Sequence, residues 1–183
     1  MTKVLGIIGG SGIYEIDGME GGQWITVESM FGKPSDDLFV GDVDGLKVVF
    51  LPRHGRSHIH SPSTINYRAN IDAMKRAGVT DLVSISACGS FRDEMAPGDF
   101  VLVDQFIDRT FARSKTFFDE EAVAHVSVAY PTCGDLGSLI LKAGEDIDVK
   151  IHDGGTYLAM EGPQFSTLAE SHMYRTWGCD VIG

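Results

Sequence analysis

Residues 45–55 read GLKVVFLPRHG, in which the apolar run VVFLP that follows Lys47 stops on an arginine and a histidine side by side. A short continuous apolar run of this kind is the pattern of a buried β-strand. Guanidinium and imidazole groups are unfavourable near a core unless they have partners. Arg53 and His54 therefore have two readings: the solvated end of the strand, or a pair of groups set out for an anion.

Outward from this strand, short β-branched runs at 4–8, 46–51, 81–86, 100–103, 155–160 and 180–182 alternate with helical patterns. That alternation predicts βαβ units and an α/β fold with a mixed, largely parallel sheet flanked by helices. Between the second and third runs lies TINYRANIDAMKRAG, where Ile71, Met74 and Ala77 recur at helical spacing and Gly78 stands where a helix should stop. A further helix after Phe165, STLAESHMYRTWG, opens with a capping box from Thr167 to Glu170 and closes on Gly178. The 183 residues suit a single domain, 1–183, with one core.

Composition excludes several classes. MTKVL at the start leads straight into GII without a long apolar segment or cleavage site, and nowhere does an apolar stretch approach the ~18 residues of a membrane span. A soluble, cytoplasmic chain is expected. The formal net charge of -11 argues against nucleic acid and anionic membranes as partners, because the overall field repels polyanions. Any anionic ligand must be held by a local cluster of donors. Cys88, Cys133 and Cys179 are far apart and in no CxxC or His/Cys pattern, so neither a disulfide framework nor a zinc site is indicated.

Ligands of open α/β sheets lie beyond the carboxyl ends of the strands. There the sequence collects GGSG at 9–12, Arg53 with His54, and SACGS at 86–90. The first of these lacks the third glycine of a dinucleotide fingerprint, since Glu15 occupies that position, and no Lys-Ser/Thr pair follows to make a P-loop. A glycine turn that admits a phosphate, with the Ser11 hydroxyl beside it, remains open. GRSHIHSPS adds Arg56, His58 and His60, concentrating basic side chains in an acidic protein. His54 and His58 straddle Gly55 with no carboxylate at ligand spacing, so metal is the weaker reading. A nucleophilic role for Cys88 would need a base and an oxyanion hole, and the sequence shows neither. Small residues shaping a pocket floor are the better account of SACGS. Phe165, in MEGPQFST, is either a core plug or a face on which a planar ring or ribose rests.

Taken together, GIIGGSGIY, PRHGRSH, NYRANIDAMKRAG, SACGSFRDEMAPGDFVLVDQFIDRT and MEGPQFSTLAES resemble the trimeric purine nucleoside phosphorylase family, in its 5'-methylthioadenosine phosphorylase branch. The likeness runs from the first strand to the last residue. It implies attack of inorganic phosphate on the ribosyl C1' of 5'-deoxy-5'-methylthioadenosine, giving adenine and 5-methylthioribose 1-phosphate, with phosphate as co-substrate and neither metal nor organic cofactor. By the resemblance Ser11, Arg53, His54, Ser86 and Ala87 bind phosphate. Ala87, Cys88, Gly89, Phe165 and Ser166 meet the nucleoside, and His125 reaches it from a neighbouring subunit of a homotrimer.

The cysteine of SACGS and the FST after EGPQ favour the methylthioadenosine branch, with methylthioinosine or 6-oxopurine nucleoside phosphorolysis as the alternative chemistry. The family's purine-binding aspartate has no counterpart up to Gly183, so no catalytic residue is assigned. By this reading the nucleoside phosphorylase fold is C-terminally incomplete, and the chain alone is expected to be weak or inactive, a phosphate- or nucleoside-binding remnant being the non-enzymatic alternative.

Overall fold

The computed structural model describes residues 2–10, 16, 18–118 and 122–183. The chain divides into two units, Met1–Ala87 and Cys88–Gly183.

The first unit contains β1 (Val4–Gly9), β2 (Glu20–Ile25), β3 (Leu38–Val43), β4 (Leu46–Pro52), α1 (Tyr67–Arg76) and β5 (Asp81–Ile85). Its strands form one sheet in the order β2-β3-β4-β1-β5. β1 pairs parallel with both β4 and β5, while β2-β3 and β3-β4 are antiparallel. β4 is thus an interior strand, which explains the apolar run: Val49, Phe50 and Leu51 are fully buried. The β3-β4 hairpin turns on Asp44 and Gly45, both at positive φ (50° and 83°), the backbone that an Asp-Gly turn supplies most easily.

α1 starts at Asn66, whose side chain accepts from the Ala69 N–H, and stops at Gly78 with φ 89°. There the Val79 N–H reaches back to the Met74 carbonyl at 3.2 Å, closing a Schellman motif. Its buried face is Ala69, Asn70, Ala73 and Met74. Ile71 was expected on that face from its spacing but is 38% exposed, because the packed stripe is centred one position away. Ala73 and Met74 join Val4, Ile8, Leu38, Val49 and Leu51 in the core of this unit.

The second unit contains β6 (Gly89–Ser90), β7 (Phe100–Leu102), β8 (Gln105–Arg109), α2 (Gly134–Asp146), β9 (Ile151–Asp153), β10 (Thr156–Met160), α3 (Leu168–Thr176) and β11 (Val181–Ile182). β8, β10 and β11 run parallel, with β6 antiparallel on β11, in the order β6-β11-β10-β8; β7 and β9 form a parallel pair. Asp99 ties that pair together. It accepts from Lys150 at 2.7 Å and faces His152 at 2.7 Å, and these bonds hold its carboxyl down to about 2.

α3 has the expected capping box: the Thr167 hydroxyl accepts from the Glu170 N–H at 3.2 Å, and the Glu170 carboxylate accepts from the Thr167 N–H at 2.7 Å. Gly178, at φ 82°, ends it with a Cys179 to Tyr174 bond. Leu158, Tyr174, Cys179 and Ile182 form the core of this unit. α2 was not anticipated. Its glycines mask the periodicity, yet Gly144 is required, since a Cβ there would stand 2.4 Å from Ile151 Cδ1 on β9.

All six anticipated strands are present, and the α/β, mixed and largely parallel character holds for the sheets taken together, with the first unit's sheet divided between two parallel and two antiparallel pairings. No helix among the described residues is long and apolar enough to cross a membrane.

Candidate functional site

Strand register assembles a candidate anion edge within the first unit. Gly9 lies opposite Pro52 on one side and Ile85 on the other. One residue further on, Gly10, Arg53 and Ser86 therefore stand together at the carboxyl edge of β1, β4 and β5, with neighbouring strands about 4.8 Å apart. Two main-chain bonds fix this edge: Gly10 N–H to the Ile85 carbonyl at 2.8 Å and Arg53 N–H to the Gly9 carbonyl at 3.0 Å. Ala87 follows Ser86 and is exposed. Ser11, expected to complete the phosphate cradle, lies outside the described residues.

The Arg53 guanidinium lies across Gly10. A Cβ on Gly10 would be 3.0 Å from Nη2 and 3.1 Å from both Cζ and Nη1, so any larger residue would contest its position. Arg53 Nε donates to His54 Nε2 at 3.3 Å, and His54 Nδ1 lies 2.8 Å from the His60 carbonyl oxygen. His54 is buried, at 6% exposure. Burial pushes its pKa below the ordinary imidazole value, against the pull of the His60 carbonyl and with the help of neighbouring Arg53, His58 and His60.

Arg56, by contrast, is committed elsewhere. It bonds Asp36 at 2.6 Å and lies 3.9 Å over the Trp24 ring, which fastens the 53–60 loop to the sheet. The Asp36 carboxyl is held low by Arg56 and by the Asp37 N–H, which outweigh its own desolvation. Of the basic residues concentrated here, Arg53 is the one aligned with the strand ends.

In the second unit, Gly89 enters β6, where a Cβ would be 3.2 Å from Ile182 Cγ2. Cys88 precedes it, exposed, with its thiol pushed up by partial desolvation. A thiol so placed stays protonated at neutral pH, which fits the pocket-floor reading rather than a nucleophile. Phe165 is 87% exposed in the turn before α3, which removes the core-plug reading. Ser166 Oγ pairs with Ser171 Oγ at 2.8 Å. His125 is exposed in a stretch without regular structure.

A buried carboxylate that sequence reading did not single out organises this region. Glu161, 5% exposed, follows β10 and accepts from the Phe111 and Ala112 N–H groups at 2.8 and 3.1 Å. Arg113 donates to the Met160 and Glu161 carbonyls at 3.1 and 3.0 Å. Together they fasten the strand end that carries MEGPQF to the segment after β8. A charged residue between an apolar strand and a Gly-Pro pair was the available signal. Among the described residues, no three His, Cys, Asp or Glu side chains converge as metal ligands would.

Against known proteins, the model of the Phosphorylase superfamily matches residues 4–183. The S-methyl-5'-thioadenosine phosphorylase of Cereibacter sphaeroides is 64% identical over 183 residues, covering 100% of this chain and 63% of that protein. The enzyme of the same name from Rhodospirillum rubrum is 60% identical over 180 residues, covering 98% of this chain and 61% of its own length. Among solved structures, a methylthioadenosine phosphorylase from an antarctic soil metagenomic library superposes with a TM-score of 0.95 at 44% identity, covering 100% of this chain and 64% of that one. Methylthioadenosine phosphorylase from Schistosoma mansoni in complex with adenine gives a TM-score of 0.92 at 34% identity, with 100% and 73% covered. The chain spans 61% to 63% of the length of the two curated relatives.

Proposed function

Because the chain belongs to the phosphorylase superfamily, we propose that it supplies the phosphate-binding edge and part of the nucleoside pocket of a 5'-methylthioadenosine phosphorylase. In this reading, phosphate attacks C1' of 5'-deoxy-5'-methylthioadenosine, adenine leaves, and 5-methylthioribose 1-phosphate is formed. Residues 1–183 are read as one nucleoside phosphorylase domain of a cytoplasmic homotrimer. Inorganic phosphate is the co-substrate, and the chemistry asks for no cofactor.

The observation that carries the proposal is the Arg53 guanidinium laid over Gly10 at the shared carboxyl edge of three parallel strands. Breaking the glycosidic bond creates a cationic, oxocarbenium-like ribosyl. A phosphate dianion beneath it stabilises that charge and is already placed to bond with it. Arg53 contributes a fixed charge and a planar fork that hold the oxyanion without giving it a proton. Ser11, His54, Ser86 and Ala87 complete the phosphate side of the reading. Ala87, Cys88, Gly89, Phe165 and Ser166 take the nucleoside side, with His125 of one subunit serving its neighbour.

The test is adenine release from 5'-deoxy-5'-methylthioadenosine with and without phosphate, beside methylthioinosine and inosine. Phosphate-dependent release with the methylthio nucleoside preferred is expected of the protein that contains this chain. Phosphate-independent release, or preference for a 6-oxopurine, would overturn the assignment. In that protein Arg53→Ala should cost about 2 to 4 kcal/mol of transition-state stabilisation, seen chiefly as weaker phosphate use. An unchanged phosphate dependence would take Arg53 out of the site.

A further inference from the structure

β8 and β10 pair in parallel until Arg109 stands opposite Met160. That is the last pair of their register, and beyond it side chains take over from the ladder. The Glu161 carboxylate turns onto the other chain, where Oε2 accepts from the Phe111 and Ala112 N–H groups at 2.8 and 3.1 Å. Arg113 answers in the opposite direction, its Nη2 donating to the Met160 and Glu161 carbonyl oxygens at 3.1 and 3.0 Å. Its Nε lies 3.8 Å from the second carboxylate oxygen, Oε1.

A carboxylate at 5% exposure is a costly way to close a strand end. An apolar side chain of similar size would fill the space without desolvating a charge, but it would strip two main-chain N–H groups of their acceptor. What this cross-tie holds lies immediately after it. Pro163, Gln164 and Phe165 are exposed, so the turn from β10 to α3 has little packing of its own and takes its course from its two ends. At the far end Ser166 Oγ pairs with Ser171 Oγ at 2.8 Å, and the Thr167–Glu170 capping box starts α3. At the near end stands Glu161.

We propose that Glu161 and Arg113 are positioning residues for the nucleoside: without touching it, they anchor the near end of the 162–166 turn and so set where Phe165 and Ser166 stand. This rests on the reading of Phe165 and Ser166 as the residues that meet the nucleoside. A displacement of about 1 Å at such a contact is enough to cost up to ~100-fold in turnover, so an anchor one turn away from the ligand governs its use as firmly as a direct contact does.

In the protein that contains this chain, Glu161→Ala should raise KM for 5'-deoxy-5'-methylthioadenosine roughly tenfold and leave KM for phosphate within about twofold. Its affinity for sulfate, a tetrahedral dianion that stands in for phosphate without reacting, should likewise stay near the parent's. Glu161→Gln keeps one oxygen to accept from both N–H groups and should recover most of the loss. Arg113→Lys keeps the charge but gives up the fork that spans two carbonyls, testing the other half without emptying the buried position; a rise of about threefold to tenfold is expected. Leu158→Ala loosens the same unit's core and leaves the cross-tie in place, so its nucleoside KM should stay parental. A parental nucleoside KM in Glu161→Ala, or in Arg113→Lys should the former fail to fold, would overturn the proposal. So would an equal rise in the KM of both substrates, or an equal rise in Leu158→Ala.

Amide hydrogen exchange in the chain itself reads the cross-tie without any substrate. The Phe111 and Ala112 N–H groups should exchange slowly in the parent and in Glu161→Gln, and fast in Glu161→Ala. Fast exchange in the parent would overturn the proposal as well. Slow exchange in a parent that releases no adenine would fail the phosphorylase reading, and with it the role given to the cross-tie.

Discussion

Among the described residues of Met1–Ala87, a cluster of Val4, Ile8, Leu38, Val49, Leu51, Ala73 and Met74 lines a five-stranded sheet, with Ile25, Val27, Val40, Ala77 and Val79 packed around it. Cys88–Gly183 is longer, yet among the described residues its buried cluster is the smaller one, Leu158, Tyr174, Cys179 and Ile182, with Phe91, Ile107 and Met160 packed against it. Its large apolar side chains stand in water instead: Phe111, Val123, Val126, Tyr130, Phe165 and Leu168 are 73% to 91% exposed. The difference separates two ways of holding functional groups. The first unit fixes Arg53 by internal bonds on a rigid edge, whereas the second offers apolar surface beyond what scattered exposure explains.

The largest effect should come from attacking the cores separately. Leu51→Ala removes a fully buried side chain from the larger cluster and should destabilise the first unit by about 3 to 5 kcal/mol. Leu158→Ala, in the smaller cluster, should cost about 2 to 3 kcal/mol. The two tryptophans, Trp24 and Trp177, lie one in each unit, so single-tryptophan variants in urea report each unit by its own fluorescence. Coincident transitions shifted equally by both substitutions would mean one cooperative fold and would break the comparison.

A smaller effect isolates the rigid edge. Gly10→Ala sets a methyl 3.0 to 3.1 Å from the Arg53 guanidinium, the far end of a side chain that can move aside. Stability should change by less than about 0.5 kcal/mol, while sulfate affinity drops about tenfold as the guanidinium is displaced. Equal affinity in the variant would show that the placement of Arg53 over Gly10 is immaterial.

What could be read from sequence follows the same division. β4 was legible because burial on both faces writes a continuous apolar run, and α1 and α3 because Asn66, Gly78, Thr167 and Gly178 do their local chemistry where sequence places it. β2 was not, since EGGQWI is mostly exposed and breaks register between Glu20 and Gln23. Arg53 and His54 could be recognised as donors at a strand end. That His54 turns back on His60 could not, because it depends on a reversal through Gly55 that no spacing rule specifies. Glu161 escaped for a related reason: its partners Phe111 and Ala112 lie some fifty residues away and donate from the main chain.

Next in size is a local test of the second unit. Thr167→Ala removes the hydroxyl that accepts from the Glu170 N–H, leaving the main-chain N–H to the Glu170 carboxylate, and should cost about 1 kcal/mol, read as a shift of the Trp177 transition alone. A shift in the Trp24 trace of equal size would again join the two units.

The smallest expected effect on folding is at Phe165. At 87% exposure it covers almost nothing in its own unit, so Phe165→Ala should leave the urea midpoint within about 0.5 kcal/mol of the parent. Its consequence should appear only when a nucleoside is present. An aromatic face left open in the turn before α3 gains contact area from a planar base or a ribose; under the proposed function, 5'-deoxy-5'-methylthioadenosine and sulfate should each raise the parent's melting temperature, and the variant should lose the first shift and keep the second. Loss of both would tie the anion edge to Phe165 and undo the separation of roles. A fall in intrinsic stability of several kcal/mol would return Phe165 to the core and mean that the second unit hides more of its apolar surface than its exposed side chains indicate.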